Sequence, residues 1–87
     1  MAASVLLHYS NGVKNIHLSN TEEQMSKVTT QQLKAKVMEA LPKIQGLGED
    51  DVQLSFNGLK LASDYSLSKY GIKPNSVVHL VLRVQGG

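Results

Sequence analysis

The chain contains no cysteine. Disulfide staples and thiolate metal sites are therefore excluded, and the absence fits a reducing compartment. A basic run interleaved with aromatics is missing too. Nine lysines and arginines are scattered among seven acidic residues. A net charge of +2 with a pI near 9.0 is therefore no nucleic-acid signature. No apolar stretch approaches the roughly 20 residues of a membrane-spanning helix. The opening MAASVLLHYS lacks the basic leader of a signal peptide. These absences predict a soluble protein of the cytoplasm or nucleus that binds neither nucleic acid nor membrane.

What is present suits one small domain of 87 residues, 41 % hydrophobic. Such a chain buries roughly 60 to 65 % of its unfolded surface. Residues 4–9 and 13–18 read as two strands around Asn11-Gly12, the dipeptide favoured in a type I′ hairpin turn. A two-residue turn there pairs Ser10 with Val13, Leu7 with Ile16 and Val5 with Leu18. The hairpin is thus expected over 4–18. Residues 19–28 are polar and without period, which reads as a loop.

Thr29 followed by Gln32 has the spacing of a capping box. Leu33, Val37 and Leu41 then fall at i, i+4 and i+8, one apolar stripe ended by Pro42. A helix over about 29–41 follows. Gly46-Leu47-Gly48 has no third glycine and does not join a strand to a helix, so it is a loop and not a phosphate cradle. Val52, Leu54 and Phe56 mark a strand over about 52–56, turned by Asn57-Gly58, after which Leu59-Lys60-Leu61-Ala62 is placed to pair back. In the turn-rich stretch that follows, Leu67, Tyr70 and Ile72 are expected in the core. The last strand, 77–83, sets Val78, Leu80 and Leu82 on one face and Val77, His79, Val81 and Arg83 on the other. One helix laid on one face of a mixed sheet is the two-layer solution for this order, and the sheet's other face meets water.

No catalytic constellation emerges. His8 and His17, placed diagonally across the first hairpin by that register, could form a metal pair, but no spacing supplies a third ligand. Exposed strand histidines are the plainer reading. Asp50 and Asp51 are adjacent in a loop with no second carboxylate cluster, and no serine sits at a recognisable nucleophile elbow. The residues predict no enzyme, no metal site and no cofactor.

Four segments carry a resemblance to the ubiquitin family. HLVLRVQGG (79–87) departs from the ubiquitin ending only at Val84 and Gln85. LKAKV (33–37) resembles the heart of the family's helix, LSFNGLKL (54–61) its third strand and turn, and SLSKYGI (66–72) the segment bearing a buried tyrosine. The likeness runs in order along the whole chain. It implies an α+β fold: a β-grasp, ubiquitin-like roll, a mixed sheet with one main helix packed across one face.

The resemblance also implies roles, residue by residue. In ubiquitin the last glycine's carboxylate is adenylated by an activating enzyme and ends in an isopeptide bond on a lysine. Gly86 and Gly87 match that tail, and Arg83 matches the arginine by which activating enzymes choose their tag. Gln85 replaces a second arginine there. His79 and Val81 match two members of the apolar patch that ubiquitin's receptors grip, whereas Ser55 stands in place of its central isoleucine. Leu59 occupies the position of the lysine most used for degradative chains, and Pro74 that of the other common linkage. Lys34 and Lys36 match helix lysines.

The partner-binding candidates are thus His79, Val81, Leu59, Ser55 and Arg83. Losing the central side chain of such a patch costs on the order of 2 kcal/mol, roughly thirtyfold in affinity. Two functions follow from the resemblance. One is a monomeric interaction domain, the N-terminal part of a larger protein, docking on proteins of the ubiquitin and proteasome pathway. The Met-Ala-Ala start reads as the beginning of such a longer product. The other is a free modifier conjugated to target lysines through Gly87. A sulfur carrier ending in a thiocarboxylate would use the same diglycine.

Overall fold

The computed structural model describes residues 3–10, 12–41, 48 and 51–82. Strand β1 (Ala3–Tyr9) turns into β2 (Gly12–Ser19), and a short helix α1 (Glu22–Ser26) precedes the main helix α2 (Thr30–Ala40). Strand β3 (Val52–Phe56), a two-residue β4 (Leu59–Lys60), a 3-10 turn (Leu67–Tyr70) and β5 (Val77–Leu82) complete the described chain. The strands form one mixed sheet in the order β2-β1-β5-β3-β4. Only β1 and β5, at its centre, run parallel. This is the β-grasp arrangement, an α+β fold with its helices on one side.

The capping box at the start of α2 is complete. Thr29 Oγ1 accepts from Gln32 N at 3.2 Å, and Gln32 Oε1 accepts from Thr29 N at 2.9 Å. Two of the helix's orphan N-terminal donors are thereby satisfied. Leu33 and Val37 are fully buried against the sheet, and Leu41 closes the helix half-buried. Val5, Leu7, Val52, Leu54 and Val78 form the facing surface. Beyond the helix's reach this face opens to water, so Leu80 is half-buried and Leu82 39 % exposed. Leu67 and Ile72 plug the core, and the Tyr70 hydroxyl accepts from Ala62 N at 2.8 Å.

Two expectations are corrected. The hairpin pairs Tyr9 with Gly12, His8 with Val13 and Val5 with Ile16, two residues away from the register that places Asn11-Gly12 in the turn. A two-residue shift leaves every side chain on its face, so the apolar pattern is silent between the two registers. Gly12 instead opens β2 at φ 133, a conformation without penalty only for glycine. By contrast Asn57 and Gly58 do fill a two-residue turn, with φ of 53 and 78, between the paired Phe56 and Leu59.

Secondly, residues 19–28 are not all loop. Thr21 caps α1 by accepting from Gln24 N at 3.1 Å, and Met25 is driven fully into the core. One apolar residue in five cannot announce a helical period, which is why this turn of helix escapes pattern reading.

Candidate functional site: the open face of the sheet

Side chains alternate along each strand, so the residues between the buried ones point away from α2. Register then assembles them into rows. Val13 lies opposite His8, His8 beside His79, His79 opposite Ser55, and Ser55 opposite Lys60. This is one continuous line across all five strands. A second row runs Asn15, Leu6, Val77, and on the other flank Val81 lies opposite Gln53. The parallel ladder that holds the centre begins with Leu6 N donating to Ser76 O at 2.8 Å.

The face is apolar where a folded domain has no internal need for it. Val13 is 53 % exposed, Val81 49 % and Val77 36 %. Between them the exposed rings of His8 and His79 meet edge to face, with centroids 5.3 Å apart and planes at 72°. Ser55 and Gln53 are half-buried, and Lys60 is exposed. The face thus offers a valine-rimmed pair of imidazoles, with a serine and a lysine toward one edge.

Of the sequence candidates, the register brings His79 and Ser55 together as an opposed pair. Val81 follows two residues after His79 on the same face. Leu59 is placed differently: it is opposite Phe56, and opposed antiparallel residues share a face. It therefore stands on the helix side at the sheet's edge, 59 % exposed, and Lys60 takes the open-face position beside Ser55. Arg83, Gly86 and Gly87 lie outside the described residues, as do Asn11, Gly46, Leu47 and Asp50.

The pairing imagined for His8 and His17 does not occur. His17 lies opposite Ser4 and His8 opposite Val13, which puts them about 13 Å apart along the strands. His8 meets His79 instead. Sequence reading missed that neighbour because the contact depends on a parallel pairing of the chain's two ends, to which local spacing gives no clue. Among the described residues no cluster of three or more His, Asp or Glu side chains is placed to hold a metal, and no buried side-chain polar atom lacks a partner. No helix among them is long and apolar enough to cross a membrane.

The model of the ubiquitin family matches residues 13–85, nearly the whole chain. The match spans β2, both helices and every later strand, so sequence family and β-grasp topology coincide. The chain belongs to the ubiquitin family.

Proposed function

We propose that this domain is a non-catalytic, monomeric docking module of the ubiquitin and proteasome pathway. It forms the N-terminal part of a larger protein of the cytoplasm or nucleus and grips protein partners with the open face of its sheet. The observation that carries this reading is the exposure of Val13, Val77 and Val81 around His8 and His79 on a face that no described element covers. Burying the exposed part of each valine contributes on the order of 1 kcal/mol, and apolar groups gathered on one uncovered face make it the candidate interaction site. Ser55 at the centre of the face weakens the grip that ubiquitin's usual receptors rely on, so the valines and histidines carry recognition, with Arg83 adjoining them in sequence.

The test is binding of purified ubiquitin-receptor domains and proteasomal receptor subunits to the wild-type chain and to Val81→Asp. Capture by the wild type and its loss in the variant are expected. Undiminished capture by Val81→Asp, or no capture of any receptor by the wild type, would overturn the reading.

A second reading is favoured by Gly86-Gly87 and Arg83: a free modifier conjugated through the Gly87 carboxylate. Gln85, in place of the family's second arginine, counts against engagement of ubiquitin's own activating enzyme and favours the docking module. An antibody against the domain, used on a reducing denaturing gel of cell extract, separates the two. One band well above 9.5 kDa supports the docking module, and a free band beneath a ladder of adducts supports the modifier.

A further inference from the structure

We propose that His8 and His79 form a two-histidine chelate for a borderline divalent cation of the Zn2+ class, seated on the open face of the sheet. The inference is independent of the docking reading, because it rests on the geometry of two side chains alone.

The two residues occupy paired positions on the parallel strands β1 and β5, at the centre of the sheet. Both side chains are exposed and project to the same side. Zinc binds an imidazole nitrogen at about 2.0–2.1 Å, which puts the ring centroid about 3.2 Å from the metal. Two such rings at a tetrahedral angle have centroids about 5.2 Å apart. The observed separation is 5.3 Å, with the planes at 72°. The ring spacing thus matches that of a shared cation, which binds once the imidazoles turn to aim one nitrogen of each at it. Coordination does not require parallel rings, so the edge-to-face arrangement is compatible with it.

The surroundings define the class of ion. Val13, Leu6, Val77, Ser55 and Gln53 face the pair, and the nearest charge in the row is Lys60, beyond Ser55. With no carboxylate among these neighbours, an oxygen-seeking Ca2+ or Mg2+ has nothing to hold it. A nitrogen pair selects Zn2+, Ni2+ and Cu2+, with Cu2+ the tightest. The remaining coordination positions point outward to water. His17, opposite Ser4, takes no part.

The test is calorimetric titration of the 1–87 chain with ZnCl2 at pH 7.5, repeated on His8→Ala, His79→Ala and His17→Ala. Amide spectra of the same samples check that the fold persists. The expected result is one Zn2+ per chain at sub-millimolar affinity. Because the second imidazole binds intramolecularly, its loss weakens binding by about tenfold or more. His8→Ala and His79→Ala should each show that loss, and His17→Ala less than about twofold. A smaller loss in either paired variant of intact fold, an equal loss in His17→Ala, or no saturable binding below millimolar Zn2+ would overturn the proposal.

Discussion

The two faces of the same sheet are built from interleaved residues, and both include branched aliphatics, yet these have opposite fates. On one, Val5, Leu7, Leu54 and Val78 are sealed beneath the helices. On the other, Val13, Val77 and Val81 stand in water beside two histidines. The closed face is almost wholly apolar, whereas the open face sets a few aliphatics among His8, Asn15, Gln53, Ser55 and Lys60. Those few lack cover. The closed face holds the fold, and its apolar groups are packed except at the rim, where Leu59 and Leu82 stand exposed. The open face keeps apolar groups that packing does not require, which is the physical ground for assigning it a binding role.

Substitutions can break or sharpen this contrast. The largest effect belongs to the closed face. Leu7→Ala removes a fully buried side chain and should cost about 2–5 kcal/mol, enough to unfold much of a domain this small. Denaturant titration measures it directly. Val81→Asp, on the other side, should weaken partner binding by on the order of 2 kcal/mol, about thirtyfold. Its folding midpoint should stay within about 0.5 kcal/mol of the wild type. A large stability loss there would show that the open face also serves the fold.

Gly58→Ala probes the sheet's edge. A methyl group there meets nothing within 4 Å, so its cost is backbone strain at φ 78, about 1–2 kcal/mol. Smallest is Thr29→Ala, which deletes the side-chain half of the α2 cap and should cost about 1 kcal/mol without altering the open face. Amide spectra of that variant should change around α2 only.

Much of this architecture was legible because local signals agree. The Thr29–Gln32 spacing and the Leu33–Val37 stripe announce α2, strict alternation in Val52–Phe56 assigns its faces, and the period of two places Val78, Leu80 and Leu82 together in β5. Register was harder to read. Period-two alternation survives a two-residue slip, so the first hairpin's partners were misplaced although its faces were not. Met25 alone could not reveal α1. For the site, His79 and Val81 come from the resemblance and from alternation together. The His8–His79 contact and the position of Lys60 arise only from pairings between distant strands. Leu59 stands on the helix side because the two-residue turn Asn57-Gly58 pairs it with Phe56.

The central claim is that partners dock on the open face. Amide chemical-shift mapping tests it most directly, with the labelled domain titrated by the tightest-binding ubiquitin-pathway receptor domain. The account predicts shifts concentrated at Leu6, His8, Val13, Val77, His79 and Val81, absent when Val81→Asp is titrated instead. Shifts confined to α2 and to residues 19–28, with the valines undisturbed, would contradict it.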